Sequence, residues 1–476
     1  MTGISRVSDP IRTTAAQRPF GTGWAQPTET GPDLEAAGYT EEELIVSGTA
    51  DIYDYDDQFR LRTRDREVPY TTRVLVRRPA DPSRGSGIVQ LEPLHPSMDR
   101  DLTWRAIHPW IIRNGHAWVG VTQAAVMART LSQAVDSDRY GQLSIRDSGL
   151  AWEIVSQVAS ALRAGAPGIT GVNSMYMSGW SMTGTFCRVF LGDGFHARTR
   201  TADDGPAIDG YVIGISSGSF MAGGYQPVSD GSGFLPASDP RRVIGAHAVP
   251  VIELLSEFES ETHTGALRPD SDGPGDPYRL YQVAGACHAS SRQRGRWPGD
   301  VQARTLGLGD RPDLVEQPST FPLEYVATAV FERLHRWAAD GVLPPRAPRL
   351  RFGDASEGEI RGKSPEARPL ARDVHGNAAG GVRSTYVDVP VATYIPHSTL
   401  RNGPAPGREG GPVIDGDLSG HVRPFSPEKL RSLYGSETLY RETVSARAAE
   451  LLKEGWLLDP EAAEVISEAS EIRFDT

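Results

Sequence analysis

The stretch SMYMSGWSMTGTFCRVF, residues 174–190, runs apolar, breaks at Gly179-Trp180-Ser181-Met182-Thr183-Gly184, and runs apolar again. The first run reads as a strand over 174–178 and the last as a helix over 182–191. A lone serine at such a junction has two readings. It belongs to an ordinary strand-to-helix connection, or it is a reactive serine on a sharp turn whose small neighbours relieve crowding beneath it. The spacing is G-x-S-x-x-G, with Thr183 at the place where the usual elbow pattern has its second glycine. The segment does not choose between the readings, so the flanking chain has to.

Working outward, residues 70–350 alternate strand-like and helix-like runs. That order predicts an α/β fold, a mostly parallel central sheet flanked by helices. Strands are expected over 71–78, 87–92, 117–122, 208–215, 249–255 and 279–284, and helices over 102–114, 148–163 and 321–339. Pro109 should kink the first of these helices. Ahead of this block, 38–62 reads as short strands with turns. Behind it, the chain is rich in proline and glycine from 345 to about 420, then helical over 426–434, over 437–454 and near 460–469. The expected division is an N-terminal β-rich extension (1–68), a core (69–345) with a lid-like loop at 216–245, and a C-terminal wrap (346–476), both extensions packed on the core.

Of the 476 residues 38% are hydrophobic and 23% charged, the balance of a globular chain. The net charge is −12 with no basic block, which argues against a nucleic-acid partner. No apolar run reaches eighteen residues and the N-terminus has no apolar h-region, so neither a membrane span nor a secretion signal is expected. The only cysteines, Cys187 and Cys287, are too few for a disulfide scaffold. The expectation is a cytoplasmic protein with reduced thiols, a monomer or a homodimer.

A nucleophilic serine needs a base to take its proton and an acid to orient that base. After the predicted strand 249–255 comes Ser256-Glu257-Phe258-Glu259, and after 279–284 comes Gly285-Ala286-Cys287-His288-Ala289. Serine, acid and histidine thus follow successive strands in an order known for such triads. Ser181 is the candidate nucleophile and His288 the candidate base. Glu259 is the favoured acid, with Glu257 as runner-up and Glu261, Asp270 and Asp272 behind. The N–H of Met182, at a helix start, would stabilise an oxyanion. A second donor would come from Leu94 or His95 in Glu92-Pro93-Leu94-His95-Pro96. Trp180, His95, Phe220, Met221 and Tyr225 would line an apolar pocket, which points to an ester with a hydrophobic part.

Five stretches together resemble the bacterial alpha/beta hydrolase domain family of serine-esterase-like proteins: GYTEEELIVSGTADIYDY (38–55), PYTTRVLVRRPADPSRGSGIVQLEPLHPS (69–97), MSGWSMTGTFCRVFL (177–191), PDSDGPGDPYRLYQVAGACHAS (269–290) and DVHGNAAGGVRSTYVDVPVATY (373–394). The resemblance implies an alpha/beta-hydrolase fold and no metal or organic cofactor. It carries the nucleophile onto Ser181, the histidine onto His288 and the acid onto 256–259 without choosing a glutamate. Two positions depart from the pattern: Met182 stands where a glutamine commonly follows the serine, and Leu94-His95 where an asparagine is common. The expected function is a serine hydrolase acting through an acyl-serine intermediate on a small or medium, partly hydrophobic carboxylic ester. The alternatives are an acyltransferase or lyase with the same triad, or a non-catalytic binding protein on a hydrolase scaffold. A pocket contribution from His375 or Arg383 is the lesser reading of the C-terminal part.

Overall fold

The computed structural model describes residues 3–12, 19–21, 32–165, 171–216, 227–233, 235–236, 238–290, 292, 314–353, 367–401 and 418–475. After two short strands, β1 (Ile4–Val7) and β2 (Ile11–Arg12), comes a long antiparallel hairpin of β3 (Tyr39–Tyr55) and β4 (Leu61–Pro79). The sequence reading of 38–62 as short strands with turns is corrected here. Residues that read as turns are absorbed by register shifts between Ala50 and Ile52 and between Ile52 and Tyr53. Asp51 Oδ1 accepts the N–H of Glu67 across the strands at 2.9 Å. The chain reverses only at 56–60, where Asp56 Oδ1 accepts the N–H groups of Gln58 and Arg60, both at 2.9 Å.

Four further strands follow: β5 (Ile88–Pro93), β6 (Ala117–Val121), β7 (Ser174–Trp180) and β8 (Gly210–Gly214). The order is β1-β3-β4-β6-β5-β7-β8, with β2 on β3. β6, β5, β7 and β8 run parallel, and β4 joins β6 antiparallel. Apart from Ser174, every residue of the parallel strands is buried. Strands buried on both faces read as mainly apolar runs, and these do, with Gln90, Glu92 and Ser178 as buried polar exceptions.

The helices fall where apolar spacing put them. Helix Ala151–Arg163 buries Trp152, Ile154, Val155, Val158 and Leu162. Helix Leu102–Arg113 runs uninterrupted through Pro109. Its first turn is held by Glu92, which accepts the N–H of Thr103 at 2.8 Å and of Trp104 at 3.2 Å. Trp104, Ile107, Trp110 and Ile111 anchor its buried face. Among the described residues no helix is long and apolar enough to cross a membrane.

One feature of this half is hidden from hydropathy. Arg73 and Arg77 of β4 are fully buried. Arg73 pairs with Asp99 at 2.7 Å and Glu43 at 3.3 Å, and Arg77 with Glu41 and Asp101, both at 2.8 Å. The Arg77 guanidinium also lies 4.4 Å from the Trp104 ring and 4.3 Å from that of Trp118. Buried charges tolerate this only when paired. The pairing ties the loop after β5 to β4 and β3, beyond the intervening β6.

The chain divides into two compact units. The first holds Met1–Val251, Gly273–Pro277 and Gly295–Asp310, and the second Ile252–Asp272, Tyr278–Arg294 and Arg311–Thr476. In the second lie most of β9 (Val251–Leu255), β10 (Ser271–Gly273) and β11 (Asp276–Gln282), in the order β9-β11-β10. β12 (Ala392–Ile395) and β13 (His421–Pro424) form an antiparallel pair. The segment around Val382 runs alongside the end of β11: its N–H donates to Gln282 O at 2.7 Å and its carbonyl accepts from Ala284 at 3.0 Å. Helices Pro427–Tyr434, Glu437–Glu454 and Asp459–Glu471 share a core of Leu430, Tyr440, Val444, Ala448, Leu451 and Val465. Ser426 and Ser436 cap the first two.

Candidate active site

Ser181 stands between β7 and helix Met182–Gly192, with φ 58° and ψ −121°. Side-chain-bearing residues rarely adopt such a backbone; holding one there costs about 1–3 kcal/mol and occurs mainly at functional sites. The neighbours show why the glycines are needed. A Cβ on Gly179 would lie 2.1 Å from the Thr183 carbonyl oxygen, and one on Gly184 would lie 2.6 Å from Ser216 Cβ. Thr183, at the place where a glycine is usual, closes the turn. Its hydroxyl accepts the Trp180 N–H and donates to the Trp180 carbonyl, both at 2.9 Å. The Ser181 N–H donates to Gly214 O at 3.0 Å, locking the elbow to β8. Met182 is 42% exposed. Its N–H is the first of the helix, one of the four that find no acceptor within an α-helix.

In the second unit, β9 ends at Leu255 and the next residue, Ser256, caps helix Glu257–Thr262. Glu259 returns the contact: its Oε2 accepts the Ser256 N–H at 3.1 Å and the Ser256 hydroxyl at 2.5 Å. Its other oxygen lies 2.5 Å from His288 Nδ1. A carboxylate there makes Nδ1 the protonated nitrogen of a neutral ring and Nε2 the acceptor. Burial works against charge on Glu259. The charge His288 carries once protonated, its hydrogen bond, the Ser256 hydroxyl and the charge of His263 outweigh it and hold the carboxyl below its usual range.

A family model described as "Alpha/beta hydrolase domain" matches residues 7–467. The chain belongs to the alpha/beta hydrolase domain family. Similar solved structures include a poly(3-hydroxybutyrate) depolymerase from Bordetella parapertussis, at 16% identity over 70% of this chain and 98% of that one, with a TM-score of 0.29. Another is Thermogutta terrifontis esterase 2 phosphorylated by paraoxon, at 15% identity over 54% and 90% of the two chains, with a TM-score of 0.30. No curated protein matches the chain. At such TM-scores the likenesses add nothing to an assignment that rests on the family.

Within this hydrolase the other predicted site residues fare differently. Glu257 is engaged with other groups: its carboxylate accepts the Gly285 N–H at 2.5 Å and pairs with Arg372 at 2.6 Å. Burial, opposed by Arg372 but reinforced by Glu261, pushes its carboxyl up. Glu261 is held by His397 at 2.7 Å and Arg372 at 3.2 Å. Asp270 pairs with Arg349, and Asp272 with Arg279 and Arg346. The expected second oxyanion donor is corrected. The Leu94 N–H donates to Val121 O at 2.8 Å and the His95 N–H to Arg100 O at 3.0 Å, so the fold has already claimed both amides. His95 and Trp180 are buried, at 8% and 2% exposure. The His95 ring accepts the Ser97 N–H at 3.1 Å, stiffening its own loop. Arg383 is taken up by Asp373 and Asp388. Phe220, Met221 and Tyr225 lie outside the described residues. Of the expected lid, 227–233 is pinned to the body, with Trp152 Nε1 donating to Val228 O at 2.7 Å.

Two groups were missed. Glu92, fully buried at the end of β5, accepts from Thr103, Trp104 and the Trp118 indole. Burial and the nearby Asp101 raise its pKa to about 8 despite those three donors. The signal was a glutamate closing the apolar run GIVQLE. The other is Arg372, which joins Glu257 to Glu261 and left no local signal in its own stretch of chain. Among the described residues no group of His, Cys, Asp and Glu is arranged to hold a metal ion.

Proposed function

We propose that this hydrolase cleaves carboxylic esters through an acyl-serine intermediate, with Ser181 as nucleophile, His288 as base and Glu259 as the acid that orients it. The observation that carries the reading is the backbone of Ser181, φ 58° and ψ −121°, at a strand-to-helix turn whose neighbours are shaped to permit it. A mere connection has no use for that strain. The Glu259–His288 hydrogen bond of 2.5 Å supplies the second part a triad needs.

Ser181 Oγ attacks the ester carbonyl carbon while its proton passes to His288 Nε2. The carbonyl oxygen becomes an oxyanion, for which the N–H of Met182 is a donor. Glu259 stabilises the imidazolium. Collapse breaks the bond to the alkoxy oxygen, which leaves as the alcohol with the proton from His288. Water, deprotonated by the same nitrogen, then attacks the acyl carbon; the bond to Ser181 Oγ breaks, Oγ takes the proton back from His288, and the acid is released. Exposed Met182 and the apolar character of the neighbouring chain favour a small or medium, partly hydrophobic ester over a highly charged one.

Ser181→Ala should lower hydrolysis of a p-nitrophenyl ester by about three or more orders of magnitude. A fluorophosphonate probe should label the wild-type protein at Ser181 and leave the variant unlabelled. Wild-type turnover by Ser181→Ala refutes the mechanism.

A further inference from the structure

Glu257, Glu259 and Glu261 place three carboxylates on one short helix, and all three are buried. Each has its own partner. Glu259 holds His288, and Glu261 Oε2 meets His397 Nε2 at 2.7 Å. Arg372, far along the chain, spans the outer two: Nη1 lies 2.6 Å from Glu257 Oε2 and Nη2 lies 3.2 Å from Glu261 Oε1. Glu257 in turn grips the turn that leads into His288. Its carboxylate accepts the Gly285 N–H at 2.5 Å, and its own N–H donates to Ala286 O at 3.0 Å. Gly285 has φ 86°, and a Cβ there would lie 2.7 Å from the Phe321 ring, so the turn has one backbone path.

We propose that Arg372 is a positioning residue for the reaction proposed above: through Glu257 it fixes the Gly285–Ala286 peptides and thereby the imidazole of His288. The physical reason is charge. Three carboxylates within one helical turn repel, and burial strips them of solvent. Arg372 is the cation shared by the two that do not serve the histidine. Burial already pushes the Glu257 carboxyl up with Arg372 present, and Glu261 adds to the push. Without the guanidinium the Glu257 carboxyl is pushed further up, and a carboxyl that takes a proton is a weaker acceptor for the Gly285 N–H. Asp373, His263, His288 and His397 are the other titratable groups acting on this cluster. The two-pronged geometry calls for arginine, because a lysine ammonium is a point charge without the planar fork.

The test uses the full chain as Arg372→Met, Arg372→Lys and the double variant Glu257→Gln/Arg372→Met, labelled with 15N-glycine and 15N-histidine. In Arg372→Met the Gly285 amide should shift and exchange faster, and the His288 Nδ1–H resonance should weaken or disappear. With a p-nitrophenyl ester, kcat should fall by about 10- to 100-fold with KM nearly unchanged, the pattern of a misplaced base. Arg372→Lys should fall between it and wild type. The double variant should recover most of the loss, because the side-chain amide oxygen that Glu257→Gln supplies accepts the Gly285 N–H without a counter-charge. Unchanged Gly285 and His288 signals in Arg372→Met overturn the proposal, as does a double variant no better than the single. Should Arg372→Met fail to fold, Arg372→Lys decides by the same signals, altered or unaltered. These resonances do not depend on Ser181. If ester cleavage is not the reaction, Ser181→Ala shows it separately, while Gly285 and His288 still report whether Arg372 places the turn.

Discussion

Glu259 divides its two carboxylate oxygens between the Ser256 cap and the His288 ring. A glutamine there keeps the shape but turns its NH2 group toward either the cap donors or the ring N–H. Glu259→Gln should therefore lower kcat/KM on a p-nitrophenyl ester by about 10³- to 10⁴-fold, the scale seen when a triad carboxylate becomes an amide. The same residue gives a pH prediction. Its folded carboxyl titrates below the ordinary glutamate range. Its stability contribution is thus complete above the unfolded value of about 4.3 and is lost as pH falls through the lower native value. Urea midpoints should drop as the pH falls below about 4.3 in the wild type and drop less in Glu259→Gln. Equal slopes would show that the Glu259–His288 pair is not what acid disrupts.

The elbow is a property of two elements joined under strain. With a Cβ on Gly179 only 2.1 Å from the Thr183 carbonyl oxygen, Gly179→Ala forces β7 and the helix after it apart. The expected result is a loss of about 3 kcal/mol or more by urea unfolding, with fluorophosphonate labelling of Ser181 slowed in whatever folds. Wild-type labelling and stability together would mean the crowding relaxes at no cost. This element was legible because an apolar strand, small residues and an apolar helix follow one another without a gap. The parallel strands β5 to β8 were legible for a related reason, since burial on both faces writes them as short, mainly apolar runs. The β3–β4 hairpin was not, because Gly48 pairs in register with Tyr70 and a register shift absorbs Asp51, both inside a strand where local chemistry reads a turn. The amides of Leu94 and His95 misled because a loop's place after a strand says nothing of which N–H groups the fold itself consumes. Arg73, Arg77 and Arg372 were invisible as a group: their carboxylate partners come from distant segments, and single-sequence periodicity carries no pairing information.

Across the second unit, the last helix reaches back to the loop that follows the histidine. Glu468, on helix Asp459–Glu471, accepts from Arg292 at 2.7 Å, from the Tyr325 hydroxyl at 2.7 Å and from the Tyr386 hydroxyl at 2.5 Å. Burial opposes its charge, but Arg292 and the two hydroxyls prevail and keep the carboxyl below its usual range. Arg292 also meets Glu324 at 3.0 Å. Four segments of one unit thus share a single carboxylate, so its removal leaves several donors facing one another. Because Glu468 is only partly buried, the expected cost of Glu468→Ala is moderate, about 1–3 kcal/mol, or roughly 2–12 °C in Tm. The coupling is the sharper quantity. In a calorimetric cycle of Arg292→Ala, Glu468→Ala and the pair, the double variant should lose clearly less than the sum of the singles. Strict additivity would mean that the C-terminal helix adds its own packing without steadying the loop beyond His288, and that the end of the chain has no hold on the histidine.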